Sequence, residues 1–227
     1  ALKNEIKWID NADYLSFGNV RIYSDKVVIA TTVVIDTDTR RYPPSALPNS
    51  GSTTLDGQSY GNGIYITSSS SGDISSLFNH NAEDANWTSV SSYDSQDGHY
   101  TGNNNLSNFD GEWITIQLPI TFYFDYIKIL RIQDFEPVAK LPSSYYVLGS
   151  TNGNDWVEIL FVSCDLVNNT THTSQTISSS IGFNYIGILF TNVVGNIIGE
   201  VSDIECMINE IELYGREKIS STTERIL

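Results

Sequence analysis

The segment WITIQL, residues 113–118, alternates apolar and polar side chains after its leading tryptophan. Because successive side chains of a strand point to opposite faces, Ile114, Ile116 and Leu118 share one face. The segment that follows, residues 122–132, is longer and carries apolar residues on both faces, which is typical of a strand in the centre of a sheet. These two segments predict the middle of a β-sheet.

Further strands are predicted on the C-terminal side of this stretch, at residues 145–150, 156–161, 183–191 and 208–214. The first two flank a turn whose Asn152-Gly153 pair is a strong hairpin signal. Short strands at this spacing, without an amphipathic helix of any length, are typical of a β-sandwich or jelly roll. The sequence therefore predicts an all-β fold.

The composition limits the classes of partner. The chain has 227 residues, of which 40% are apolar and 17% charged, and its net charge is −15 at pH 7. An acidic surface repels phosphate backbones and anionic lipid heads, so we expect no nucleic-acid binding, whereas cations and neutral ligands are compatible with it. We expect no membrane insertion, because no run approaches the ~18 apolar residues that span a bilayer. Cys164 and Cys206 allow one disulfide, but two free thiols are the favoured interpretation.

The pattern of strands and breakers divides the chain into a β-rich N-terminal extension (residues 1–41), a linker (42–63), a β-sandwich (64–215) and a C-terminal tail (216–227). The extension contains short β-branched and aromatic runs, which either add strands to the sandwich or form the stalk or collar of an oligomeric fibre. Prolines mark the linker, because they interrupt strand pairing. The tail is mostly polar, and we expect it to be loose or paired with a neighbour.

Six motifs, in their serial order, resemble the discoidin family, which includes coagulation-factor C-type domains and many carbohydrate-binding modules. They are FNHNAEDANWTS (78–89), YTG (100–102), GEWITIQLP (111–119), PSSYYVLGS (142–150), NGNDW (152–156) and NEIELYG (209–215). The resemblance implies a galactose-binding-like jelly-roll sandwich of eight strands whose ligands bind at the loops of one end. The sequence also resembles variants of this domain on the surface proteins of large viruses and phages.

The same resemblance implies a structural Ca²⁺ between the loop at residues 78–87 and a glutamate near the C-terminus. The corresponding residues here are Asn79, Asn81, Asp84 and Glu210. Calcium prefers six to eight oxygen ligands, and a carboxylate among core strands needs a partner. The chain departs from the family, because Asn79 stands where aspartate is usual and His80 where glycine is usual. The alternative is a hydrogen-bonded loop without an ion.

A sugar site combines an aromatic platform with polar groups that bind hydroxyls. The resemblance places these groups on the loops at the calcium end, and the candidates there are Tyr93, Asp94, His99, Arg131, Asp134 and Phe135. The alternative is that they are ordinary loop residues. Trp87 and Trp113 lie beside strand motifs, and we expect both in the core.

No catalytic motif is found in the sequence. Neither a zinc-binding HExxH helix, nor a Gly-x-Ser-x-Gly elbow, nor a Gly-Lys-Ser/Thr phosphate loop occurs. We therefore expect a non-catalytic module that binds a glycan or cell-surface receptor, as a homo-oligomer, in an extracellular location or on a virion surface, for instance as the head of a viral or phage fibre. The alternatives are a purely structural virion or fibre protein and an accessory binding domain of a larger hydrolase.

Overall fold

The computed structural model describes residues 29–48, 50–84, 86–132, 138–195 and 203–225. In these residues the chain is almost entirely β-structure, with one short 3-10 helix at Val138–Lys140. The all-β prediction is thereby confirmed. The strands are β1 (Ile29–Ile35), β2 (Arg40–Tyr42), β3 (Gly51–Leu55), β4 (Gly63–Ser69), β5 (Trp87–Thr88), β6 (Asn105–Leu106), β7 (Phe109–Asp110), β8 (Glu112–Leu130), β9 (Pro142–Ser150), β10 (Val157–Ser163), β11 (Thr171–Thr173), β12 (Gly182–Val193), β13 (Met207–Ile208) and β14 (Glu210–Arg225).

Strand β8 belongs to both sheets of an antiparallel sandwich. Its first half, residues 112–117, pairs with β12 on one side and its residues 114–117 pair with β4 on the other. Its second half, residues 122–130, pairs with β14, and residues 128–130 also pair with β11. Residues 118–121 lie between these two halves, and β12 also reaches residues 122–123. The main hydrogen-bonded path has the strand order β1-β14-β8-β12-β9-β10. In addition, β2 pairs with β14, β4 and β11 pair with β8, and β3 pairs with β4.

The core lies between the inner faces of the two sheets. Ile114, Ile116 and Leu118 are at most 1% exposed, as their alternation predicted. They pack in one cluster with residues of the facing sheet, among them Ile129 and Ile211. Burying such side chains contributes about 1.5–3 kcal/mol each to stability.

The predicted hairpin forms between β9 and β10, which pair in antiparallel register. The Asn152 side-chain oxygen accepts the backbone N–H groups of Asn154 and Asp155, each at 2.9 Å. Gly153 has a φ of +78°, a conformation that glycine adopts without steric cost. The Asn-Gly signal thus identified the turn correctly.

Both ends of the described chain form a two-stranded ribbon. The last residues of β14, 218–225, pair with β1, with Ile35 opposite Lys218 and Ile29 opposite Arg225. Strand β14 therefore continues through Gly215, where the predicted sandwich ends. The division into extension, linker, sandwich and tail stays a prediction, since it is not decided by strand pairing.

The two cysteines are free thiols in the structure. Cys206 is fully buried, and burial raises the pKa of the partly buried Cys164 thiol to about 12. Because the thiolate is the reactive form of cysteine, neither side chain is set up as a nucleophile.

Glu112, at the start of β8, is a fully buried carboxylate that neutral side chains hold by hydrogen bonds. Its oxygens accept hydrogen bonds from Ser70 (2.5 Å), Ser71 (2.7 Å), Ser92 (2.9 Å) and the Asn104 amide (3.0 Å). Two of these donors belong to the serine run at residues 68–71. The Glu112 carboxylate therefore connects three loop segments, which contain residues 70–71, 92 and 104.

Replacing Glu112 with alanine is expected to destabilise the fold by about 2–4 kcal/mol, because four donors lose their acceptor in a buried position. Chemical denaturation followed by tryptophan fluorescence measures the free energy of unfolding. The control is Glu158→Ala on the exposed face of β10, which we expect to be nearly neutral. Equal effects of the two substitutions would contradict the structural role of Glu112.

Candidate functional site

The predicted sugar-binding loop at residues 93–100 is a tight, hydrogen-bonded turn. The Asp94 N–H donates to the His99 carbonyl, and the Gly98 N–H donates to the Asp94 carbonyl, both at 2.9 Å. The Asp94 side-chain oxygen also accepts the N–H groups of Gln96 (2.8 Å) and Asp97 (3.1 Å). The conformation of this turn is therefore fixed by its own backbone.

Neighbouring loops close around this turn. His99 forms a β-bridge with Asn192, and Tyr93 forms one with Ile204. Gly98 has a φ of +74°, and a Cβ there would lie 2.1 Å from the Val193 carbonyl oxygen. This close approach requires glycine at position 98, and it joins the turn to residues 192–195 and 203–204.

Asp94, Asp97 and His99 come together at the surface of the turn. One ligand atom from each lies within 4.8 Å of the others, so the three side chains form a set that could hold a metal ion. The His99 Nδ1 is hydrogen-bonded to the Asp97 carboxylate, which raises the pKa of His99 and lowers the pKa of Asp97. Nearby, the Asp203 carboxylate accepts a hydrogen bond from Thr101 at 3.0 Å.

Asp97 and Asp203 were missing from the sequence candidates. The spacing Asp94-x-x-Asp97-x-His99 around Gly98 could have indicated Asp97, because aspartates in such turns bind backbone N–H groups. Asp203 had no local signal, since its position beside the turn depends on the bridge between Tyr93 and Ile204.

Tyr93 lies in the core. Its ring is 0% exposed and packs edge-on against Tyr100, and its hydroxyl donates to the Phe190 carbonyl at 3.0 Å. The ring therefore supports the turn from the protein side and does not face solvent.

The Arg131 side chain forms hydrogen bonds with the backbone of a neighbouring loop. Its guanidinium donates to the carbonyl oxygens of Leu166 (2.5 Å), Asn169 (3.1 Å), Val167 (3.2 Å) and Ile132 (3.0 Å). These contacts hold the loop at residues 166–169 against the end of β8. Two other predicted ligand contacts, Asp134 and Phe135, lie outside the described residues.

The predicted metal ligands Asn79, Asn81, Asp84 and Glu210 are brought together at the same end of the sandwich. The Asn79 amide donates to the Asp84 carboxylate at 3.0 Å, and the Asn79 oxygen accepts the Asn81 N–H at 2.8 Å. The Asn81 N–H also donates to Glu210 Oε2 at 3.1 Å. These hydrogen bonds connect the four residues, whose role as metal ligands stays a prediction.

Arg41 is the cationic partner of Glu210. The Arg41 Nη2 lies 2.7 Å from Glu210 Oε1, and Nη1 lies 3.0 Å from Glu212 Oε1. Glu210 is 1% exposed. Burial raises the pKa of Glu210 to about 7, and the Arg41 guanidinium opposes that shift. Arg41 lies 169 positions away in the sequence, which is why sequence reasoning missed it.

These contacts do not fit a calcium ion. Both Glu210 oxygens and the side-chain oxygens of Asn79 and Asn81 accept hydrogen bonds from groups of the protein. A guanidinium at 2.7 Å repels a divalent cation at the same carboxylate. The calcium role of the four predicted ligands therefore has no support in their geometry.

Trp87 and Trp113 lie in two separate clusters. Trp87 is 0% exposed in the main core. Trp113 is half-buried on the outer face of the β8-β12-β9 sheet, beside a small cluster of Leu106, Leu148, Trp156 and Leu189. Trp87 is thus in the core, as expected, whereas Trp113 only packs against a small cluster and stays partly exposed.

No family model and no curated protein matches the chain. Solved structures with a similar fold include the family 32 carbohydrate-binding module of Clostridium perfringens NanJ in complex with galactose (17% identity, 66% of this chain and 93% of that chain, TM-score 0.46). They also include a putative chitobiase fragment from Bacteroides thetaiotaomicron (11% identity, 79% of this chain and 97% of that chain, TM-score 0.48). A third is a Streptococcus pneumoniae fucose-binding module (14% identity, 65% of this chain and 91% of that chain, TM-score 0.42).

The strands in the described part of the chain pair in antiparallel register. None of its helical segments could cross a bilayer.

We expect the three histidines to titrate in different ranges. The pKa of His99 is raised by its hydrogen bond with Asp97, whereas burial lowers the pKa of His80 and of His172. An NMR titration of the imidazole signals should show His99 losing its proton last as the pH rises. Asp97→Asn should lower the His99 pKa and leave the other two unchanged. A His99 pKa at or below that of His80 would contradict the contact.

Proposed function

We propose that the chain is a non-catalytic carbohydrate-recognition module whose ligand contacts include Asp94, Asp97 and His99. The observation that carries the proposal is the fixed turn at residues 93–100, which presents two carboxylates and an imidazole within 4.8 Å of one another. Carboxylate oxygens accept hydrogen bonds from sugar hydroxyls, and an imidazole can donate to or accept from them. Such convergent polar groups are what a sugar site requires.

The rigidity of the turn supports this proposal. Gly98, the Asp94 side chain and the bridge to Asn192 hold the backbone before any ligand arrives. A preformed site avoids the entropic cost of ordering a loop on binding. Asp134 and Phe135 follow Arg131 in the chain, and they stay predicted contacts of the same site.

The charge of the surface favours a neutral glycan. The chain carries a net charge of −15, and Asp203 adds a further carboxylate beside the turn. Sialylated or sulfated sugars would be repelled by these groups. A neutral hexose such as galactose or fucose, the ligands named for two of the solved modules, is therefore the first to test.

We also propose that the module acts in several copies in an extracellular setting. The ribbon of β1 and β14 lies at the end of β14 remote from Glu210 and the loops. A two-stranded ribbon is only marginally stable in water, so pairing with a second copy would stabilise it. Repetition of a weak sugar site raises avidity. The same ribbon is compatible with the head of an oligomeric fibre, and with the alternative of a purely structural fibre protein.

A glycan array with the full chain, followed by calorimetry with the best neutral sugar, tests the function. Asp94→Asn and His99→Ala should each weaken binding by about tenfold or more, since each removes a hydrogen bond to the ligand. The amide of Asp94→Asn keeps an oxygen that can accept the turn's N–H groups.

The matched control is Glu158→Gln on β10, which should bind like the original chain. Circular dichroism shows whether each variant is folded. If the folded chain binds no glycan on the array, the proposal is wrong. Binding that neither substitution weakens would also contradict it.

A further inference from the structure

The strand that precedes the sandwich supplies a positive charge to its loop end. Arg41 lies on β2, opposite Tyr214 of β14, and its side chain is 21% exposed. From there it reaches two carboxylates of β14, Glu210 at 2.7 Å and Glu212 at 3.0 Å. One guanidinium thus bridges two acidic groups that share a strand face.

The carboxylates use their other oxygens to bind further segments. Glu210 Oε2 accepts the Asn81 N–H at 3.1 Å, which ties the loop at residues 78–84 to β14. Glu212 Oε2 accepts the Tyr214 hydroxyl at 2.9 Å and lies 3.6 Å from the Lys128 ammonium. Arg41 is therefore the centre of a network that joins β2, β8, β14 and the loop.

Hydrogen bonds from the protein hold the loop at residues 78–84 in place. The Asn79 and Asn81 oxygens accept N–H groups two residues further along, and the His80 ring is hydrogen-bonded to the Pro43 carbonyl at 3.2 Å. The Asn209 amide donates to the Asp84 carbonyl at 3.1 Å, so β14 holds the loop at a second point. Every one of these contacts comes from the chain itself.

We infer that Arg41 takes the place of a metal ion in this protein: it neutralises Glu210 and Glu212, fixes the loop at residues 78–84, and makes the fold independent of calcium. This role of Arg41 is independent of glycan binding, because it concerns only the charge balance of Glu210 and Glu212 and the position of the loop.

Thermal unfolding of the full chain, in millimolar calcium chloride and in excess EDTA, gives the first test. We expect the same Tm in both, because the carboxylates already have a cation. A Tm that rises with calcium in the original chain, but not in Glu210→Gln, would overturn the inference. This comparison needs no substitution at Arg41.

The second test is Arg41→Met, which keeps most of the side-chain volume but removes the charge. We expect its Tm to fall by roughly 6–12 °C, since it leaves two partly or fully buried carboxylates without their cation. The comparison variant is Arg40→Met, the neighbouring residue, whose ion pairs reach Asp36, which is buried, and the exposed Asp38. We expect a smaller fall there, because Arg40→Met leaves one buried carboxylate without its cation and Arg41→Met leaves two.

The double variant Arg41→Met, Glu210→Met distinguishes the effect of an unpaired charge from the effect of lost side-chain packing. When both partners of a buried pair are removed, no charge is left unpaired, so its Tm should lie above that of Arg41→Met. If Arg41→Met does not fold, Arg41→Lys, which keeps the charge, should fold with a Tm closer to that of the original chain. Equal Tm values for Arg41→Met and Arg40→Met would overturn the inference.

Discussion

The hydrogen bonds of β8 to strands of both sheets hold the sandwich together. Through residues 112–117 this strand pairs with β12, and through residues 122–130 it pairs with β14. Its inner face supplies core residues to each layer, from Ile114 to Ile129. The loops at the candidate site are positioned by the strands that β8 orders, because β12 and β14 lead directly into them.

Three buried carboxylates connect segments that are far apart in the sequence. Glu112 binds the serine run, and Glu210 binds Arg41. Asp125, which is 1% exposed, accepts a hydrogen bond from Thr39 at 2.5 Å and forms an ion pair with Arg216 at 3.0 Å. Because a buried carboxylate without donors is costly, each fixes its partners in place. Side chains of residues 39–41 are in this way held against β8 and β14.

The sequence contained enough to predict the strands but not the contacts between distant segments. The alternation at Ile114, Ile116 and Leu118 and the Asn152-Gly153 turn depend on neighbours in the chain, so local rules identified them. Arg41 could not be matched with Glu210, because their pairing follows from how β2 and β14 align in space. The burial of Tyr93 was missed for a similar reason, since its loop neighbours suggested exposure.

The placement of the ribbon has a mechanical consequence. Strand β14 runs from Glu210 at the loops to Arg225 in the ribbon, beside β1. If a ligand is held at the loops while the ribbon is anchored, tension acts along the length of β14. Its hydrogen bonds to β8 lie perpendicular to that pull, so they are loaded together in shear and do not open one after another. Such an arrangement resists force better than a strand peeled from one end.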